Sequence, residues 1–154
     1  MKIIHTSDWH LGQFFYTRSR AFEHQSFLDW LLQQITQHQV DALIVAGDIF
    51  DTGSPPSYAR ELYNHFVVAL QQTGCQLVIL AGNHDSVAMP NESRELLACL
   101  NTRVIASAGK EVDQQLVILT NARQQPAAIL CAIPYLRPRD IQPSQAVLGS
   151  HQHH

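Results

Sequence analysis

Residues 43–51 read LIVAGDIFD, and this stretch decides the fold. An apolar run of strand length stops at Gly47, and two carboxylates, Asp48 and Asp51, follow within four residues. A strand that is apolar on both faces is typical of the inside of a parallel sheet that helices cover. The stretch therefore predicts a buried strand that delivers acidic side chains to one edge of a sheet.

The same pattern occurs once before this stretch and once after it, as IIHTSDWH at residues 3–10 and as LVILAGNHD at residues 77–85. Asp8 and Asp48 are 40 residues apart, and Asp48 and Asn83 are 35 residues apart, about one strand–helix–strand unit. Because ligands collect beyond the carboxyl ends of parallel strands, the three segments predict one metal site at one sheet edge.

Length and composition fit one globular domain, since the chain has 154 residues, 45% of them hydrophobic and 15% charged. The net charge of −3 argues against a protein that coats nucleic acid over its whole surface. Any contact with DNA would therefore use a local group of arginines or bound metal ions.

Three widely spaced cysteines, Cys75, Cys99 and Cys131, predict a reducing compartment and small buried apolar side chains rather than a disulfide framework. No apolar run approaches about 20 residues, and no leader precedes the first strand, so we expect a cytoplasmic protein without a membrane span.

Hydrophobic periodicity predicts an α/β fold, a βαβαβα half followed by a plainer β segment. The expected strands are 2–6, 42–46, 76–80, 103–106, 114–120 and 127–133, and the expected helices are about 19–37, 57–73 and 90–100. Residues 7–18 are expected to be a loop. Residues 1–140 should form one domain, and the proline-rich stretch after residue 133 should lead into a linker or truncated tail at 141–154.

The residue types at the three strand ends suit a hard divalent cation, which prefers oxygen and imidazole ligands. Asp8 and His10 alternate, so at a strand end they would point to the same side and reach one ion. Asp48 lies on the middle segment and would bridge two ions. Asn83 would add a neutral oxygen, whereas Asp51 is expected to support its loop. The catalytic candidates follow: His84 could donate a proton, and Asp85 could hydrogen-bond that imidazole.

These motifs, D-x-H at 8–10, G-D-x-x-D at 47–51 and G-N-H-D at 82–85, resemble those of the calcineurin-like metallophosphoesterases. The longer sequences DWHLG at 8–12 and IPYLRPR at 133–139 are similar to those of the nucleases of that superfamily that act in bacterial double-strand-break repair. The resemblance implies an α-β-β-α sandwich and two Mn²⁺ ions, with Mg²⁺ as an alternative. It implies metal ligands at Asp8, His10, Asp48 and Asn83, with Asp48 bridging, and a catalytic His84 supported by Asp85.

The resemblance also implies an activity: Mn-dependent 3'–5' exonuclease action on double-stranded DNA ends, and endonuclease action on hairpins and single strands. It implies an ATPase partner subunit and a homodimer through the helices at 57–73 and 91–100. The family's later histidine motifs are absent, and the histidines at 151–154 do not replace them. We therefore expect a chain that holds the N-terminal part of the domain, binds metal weakly and is inactive alone.

Four arginines are candidates for contacts with DNA: Arg18 and Arg20 among aromatic residues after the first motif, and Arg137 and Arg139 near the end. The alternative is that the aromatic residues anchor the loop on the core and the arginines are solvated. The histidines in the helices, His24, His38 and His65, are expected to lie far from the site. Two other functions stay open, a phosphoesterase of the same superfamily that acts on nucleotides or phosphoproteins, and a non-catalytic scaffold.

Overall fold

The computed structural model describes residues 1–82, 101–106 and 112–138. The helices are α1 (Ala21–His38) and α2 (Ser57–Gln72), and a short 3-10 turn spans Val112–Gln115. The strands are β1 (Ile3–Thr6), β2 (Phe14–Phe15), β3 (Arg18–Ser19), β4 (Ala42–Ala46), β5 (Gln76–Leu80), β6 (Thr102–Ile105), β7 (Leu116–Thr120) and β8 (Pro126–Cys131). The helix expected at 90–100 and the domain boundary expected at residue 140 lie outside the described residues.

Four strands form one parallel sheet in the order β1-β4-β5-β6. The central strand β4 pairs with both neighbours, so that Val45 lies beside Thr6 on one side and beside Ile79 on the other. Strands β7 and β8 form a separate antiparallel pair, which lies in the β segment expected after the parallel half. The predicted α/β class is therefore confirmed, and β1, β4 and β5 all end at the same edge of the sheet.

Side chains of the central strands alternate between two cores, because successive residues of a strand point to opposite faces. Leu43, Val45 and Ile79 pack against the helices in one cluster. Ala42 and Val78 pack against β7 and β8 in a second cluster with Val117 and Leu119. The layers therefore run from helices to parallel sheet to antiparallel hairpin.

Both helices follow from the sequence pattern. In α1 the buried residues recur every three or four positions, and they are His24, Leu28, Leu31 and Ile35. Gly74, which follows α2 closely, has a φ of +72°, a left-handed conformation that suits glycine beyond a helix end.

Two expectations were wrong. Residues 14–19 are not a plain loop, since Phe14 pairs with Ser19 and Phe15 pairs with Arg18 in a small hairpin. Two-residue strands are too short to show a period in the sequence. Cys131 is exposed on β8 rather than buried, because the outer face of the antiparallel pair faces solvent.

Cys75, in contrast, is buried as expected, and burial raises the pKa of its thiol to about 12. Cys99 lies outside the described residues. In the described parts of the chain, no helix combines the length and the apolar composition that crossing a membrane requires.

Candidate metal centre

Three of the four predicted metal ligands lie together beyond the ends of β1 and β4. Ligand atoms of Asp8, His10 and Asp48 all lie within 4.8 Å of one another. The group combines two carboxylates with one imidazole, a donor set that suits Mn²⁺, Mg²⁺ and other divalent cations. The fourth predicted ligand, Asn83, lies outside the described residues.

The two loops that carry these ligands are joined by backbone hydrogen bonds that continue the β1–β4 ladder past the strand ends. The amide of Asp8 donates to the carbonyl of Gly47 (3.2 Å), and the amide of His10 donates to the carbonyl of Asp48 (3.0 Å). The amide of Leu11 then donates to the carbonyl of Ile49 (2.8 Å). Each loop therefore fixes the backbone of the other, and the ligands lie on both loops.

All three grouped residues have a left-handed backbone, with φ of 56° for Asp8, 46° for His10 and 52° for Asp48. This conformation is uncommon outside glycine, although aspartate and histidine tolerate it better than most residues, and it costs about 1–3 kcal/mol each. β1 ends at Thr6, so Asp8 and His10 do not converge by strand alternation as expected. Two left-handed turns bring them together instead.

Trp9 lies between the two ligands and anchors their loop in the core. Its side chain is only 6% exposed and packs edge-on against Phe66, with ring centroids 5.3 Å apart. Its Nε1–H also donates to the hydroxyl of Thr6 at 3.0 Å. With Trp9 buried, the flanking Asp8 and His10 remain at the surface. A large aromatic residue between two polar ones is the signal in the sequence from which this anchor could have been predicted.

Asp51 contacts one of the ligands directly. Its Oδ1 lies 3.2 Å from Nδ1 of His10, whose Nε2 lies 3.6 Å from Oδ1 of Asp8. Because a carboxylate can only accept, Nδ1 carries the hydrogen, and the lone pair of a neutral ring is left on Nε2 for a cation. A carboxylate in this position orients the imidazole. The sequence pattern predicted only loop support for Asp51, since a contact across 41 residues leaves no local signal.

Two glycines allow the loops after β4 and β5 to meet backbone to backbone. A Cβ on Gly82 would lie 2.5 Å from Oδ1 of Asp48, and a Cβ on Gly47 would lie 2.8 Å from the Cα of Gly82. Both distances are shorter than real Cβ contacts, so only glycine fits without displacement. This close approach explains the glycine before Asp48 and the glycine before Asn83.

A pocket of about 290 Å³ adjoins Asp48 and is closed on one side by Ile133, Pro134 and Tyr135. The amide of Tyr135 donates to the carbonyl of Ala81 at 3.1 Å, which holds this later segment against the end of β5. Arg137, half-buried, follows two residues further along the chain.

The two arginines predicted to contact DNA after the first motif differ in exposure and in partners. Arg18 is exposed on β3, whereas Arg20 is half-buried and its Nη1–H donates to Oε1 of Gln13 at 3.1 Å. His84, Asp85 and Arg139 lie outside the described residues.

The expectation that His24 lies far from the site was wrong. His24 is 6% exposed, and Asp51 and His10 are close enough to influence its pKa. Burial, followed by the charge of Arg20, lowers the pKa of the imidazole below 6.5.

The chain is similar to known proteins over most of its length. The chain is 67% identical over 149 residues to SbcD, a subunit of nuclease SbcCD, of Escherichia coli strain K12, a match that covers 97% of the chain and 36% of that relative. It is 34% identical over 148 residues to the SbcD of Rhodobacter capsulatus, covering 92% of the chain and 36% of that relative. The chain thus spans about a third of the length of these curated relatives. Residues 1–131 match the calcineurin-like phosphoesterase family, and the chain therefore belongs to that family.

Proposed function

We propose that this chain supplies the metal-binding part of a DNA nuclease that hydrolyses phosphodiester bonds. One observation carries the proposal: Asp8, His10 and Asp48 present ligand atoms within 4.8 Å of one another at the carboxyl edge of the parallel sheet. The likeness to the E. coli relative, which is named as part of a nuclease and is 67% identical over the matched residues, supports DNA as the substrate.

The proposed metal is Mn²⁺, with Mg²⁺ as an alternative, in a two-ion site with Asp8, His10, Asp48 and Asn83 as ligands and Asp48 as the bridge. Bound ions of this kind activate water and polarise a phosphate ester. The residues of the chain would position them: the Asp51 carboxylate holds the His10 ring with Nε2 toward Asp8, and Ser7 Oγ–H donates to Oδ2 of Asp8 at 2.7 Å.

His84 is the proposed proton donor to the leaving oxygen, and Asp85 is its proposed hydrogen-bond partner. Both follow closely on Gly82, which lies against Asp48. A histidine two residues beyond that contact would be close to a phosphate at the metal centre.

The proposed reactions are 3'–5' exonuclease action on double-stranded DNA and endonuclease action on single strands and hairpins. Among the candidate contacts, the exposed Arg18 is best suited to a phosphate, because Arg20 already donates to Gln13. Arg137 follows the segment beside the Asp48 pocket, and Arg139 extends the same run as a further proposed contact.

The relatives are named as one subunit of a complex, and we therefore propose an SbcC-type ATPase as the partner of this chain. The proposed location is the cytoplasm, near the nucleoid. A homodimer through α2 and residues 91–100 is also proposed. Val68 is 55% exposed on α2 and is a candidate for such a contact, whereas Tyr63 on the same helix is 3% exposed and belongs to the core.

A chimera tests the nuclease proposal. The matched segment of E. coli SbcD is replaced by residues 1–149 of this chain, and Mn-dependent cleavage of a labelled linear duplex is measured with the ATPase subunit. We expect cleavage, with loss of at least about a hundredfold on Asp48→Asn. The matched control is Asp113→Asn, an exposed carboxylate in the turn before β7, which should cleave normally.

Two outcomes would contradict the proposal. If the chimera hydrolyses para-nitrophenyl phosphate esters but no DNA, a phosphoesterase of another substrate class is favoured. If it folds and binds the ATPase subunit but hydrolyses neither, a scaffold is favoured.

A further inference from the structure

Three aromatic side chains lie exposed at the tip of the β2–β3 hairpin. Phe14 is 56% exposed, Phe15 64% and Tyr16 88%, and the Phe15 and Tyr16 rings contact edge to face at 4.8 Å between centroids. The alternative that they anchor the loop on the core therefore does not hold for these three residues. Contiguous exposed apolar surface of this kind marks binding sites.

The hairpin fixes the backbone that carries these rings. Phe15 pairs with Arg18 across the two strands, and Tyr16 at the turn has a φ of 56°. At the base of the hairpin, Arg20 donates to the side chain of Gln13. The backbone amide of Gln13 donates to the carbonyl of His10 at 3.0 Å. Binding to residues whose backbone is already ordered loses less conformational entropy.

Charge indicates what kind of molecule the rings bind. Residues 11–22 include two arginines and no carboxylate, although the whole chain has a net charge of −3. Rings beside guanidinium groups suit a nucleic-acid strand, since bases stack on the rings and phosphates contact the arginines. Arg18, opposite Phe15, is placed to contact a phosphate of a strand whose bases stack on the tip.

The hairpin is also within reach of the metal centre. Phe15 is five residues from His10, so their Cα atoms are at most about 18 Å apart. A stacked strand rises about 3.4 Å per nucleotide, so this distance corresponds to at most about five nucleotides.

We propose that Phe15 and Tyr16 form a stacking platform for unpaired bases of the strand that the metal centre cuts, with Arg18 on the adjacent phosphate. The platform favours single-stranded and hairpin DNA, since paired bases in a duplex do not offer free faces. This inference rests on the proposed function, because it takes DNA as the substrate.

The test measures binding in the absence of divalent metal, so that it is independent of cleavage. The fluorescence anisotropy of a labelled single strand of about 12 nucleotides, and of its duplex, is titrated with the 154-residue chain. Phe15→Ala and Tyr16→Ala should each weaken single-strand binding by between about 5-fold and 150-fold, and duplex binding by less than about 2-fold. Tyr16→Phe, which keeps the ring, should bind as the parent does.

The matched control is Ile129→Ala, which removes an apolar side chain that is 71% exposed on β8. It should leave binding unchanged, and all variants should keep the parental thermal midpoint. Unchanged single-strand affinity in both alanine variants, or no single-strand binding by the parent, would overturn the platform and favour a protein partner for the hairpin. Asp48-dependent cleavage by the chimera would still stand in that case, so the two proposals fail separately.

Discussion

The loops of the metal centre and the β2–β3 hairpin are neighbours in the chain, but they are stabilised in opposite ways. In the loops, backbone hydrogen bonds join residues 8–11 to residues 47–49, and Trp9 is buried between two ligands. In the hairpin, two residue pairs hold an exposed tip whose rings contact little beyond one another.

Both regions contain left-handed residues, but their side chains have different surroundings. The strain at Asp8, His10 and Asp48 persists because the ladder and the core fix the backbone around them. Changes to the buried anchor or to the closely packed backbone of the loops should therefore alter stability, whereas changes in the hairpin should alter binding alone.

The largest expected effect is on stability. Trp9→Ala should lower the free energy of unfolding by about 3–5 kcal/mol, because it removes a buried aromatic side chain and leaves a cavity. Tyr16→Ala, in the exposed tip, should change it by less than about 0.5 kcal/mol. Urea denaturation followed by circular dichroism measures both values, and equal losses would show that the two regions do not differ.

Gly82→Ala should displace the carboxylate of Asp48, since the new Cβ would lie 2.5 Å from its Oδ1. We expect about 1–3 kcal/mol of destabilisation and at least about tenfold weaker Mn²⁺ binding in calorimetric titration. Gly74→Ala is the control, because Gly74 has a φ of +72° but a Cβ added there would meet no atom within 4 Å. It should cost stability alone, and an equal loss of metal affinity in both variants would refute the steric explanation.

Asp51→Asn should weaken Mn²⁺ binding by about 10- to 100-fold, because an amide orients the His10 imidazole less firmly than a carboxylate does. The free energy of unfolding should change little. If Asp51 supports only its loop, the reverse will be seen: lower stability with unchanged metal affinity in the folded protein. Asp113→Asn controls for the loss of one negative charge.

The smallest expected effect is the pH dependence of stability. Burial and Arg20 lower the pKa of His24 below 6.5, against weaker opposing effects of Glu23 and Asp51. The unfolded chain therefore binds a proton at His24 more readily than the folded chain does. The contribution of His24 to the free energy of unfolding is present above about pH 6.5 and is lost as the pH falls below that value.

His24→Gln should flatten the decline in stability between about pH 7 and pH 5, measured by urea denaturation without metal. His38→Gln, at the exposed end of α1, should leave it unchanged. An unaltered decline in His24→Gln would contradict the assignment.

Much of the fold could be predicted from local sequence, because buried strands and amphipathic helices produce recognisable patterns of hydrophobic residues. β4 and β5 have the predicted bounds, and α2 begins at the predicted Ser57. The strand ends also predicted that Asp8, His10 and Asp48 would lie close together, since parallel strands end at one edge of a sheet.

The details of the site could not be predicted, because they depend on contacts distant in sequence. The left-handed turns at Asp8 and His10 are fixed by a ladder to residues 47–49. The pairing of Asp51 with His10 depends on how two separate loops pack together. The hydrophobic periodicity of a single segment cannot predict such a contact.

Calorimetric titration of Mn²⁺ into the 154-residue chain tests the central claim most directly. We predict saturable binding by the parent and by Asp113→Asn, and at least about tenfold weaker binding by Asp48→Asn. Equal Mn²⁺ binding by Asp48→Asn and the parent would contradict the assignment of Asp8, His10 and Asp48 as a metal centre.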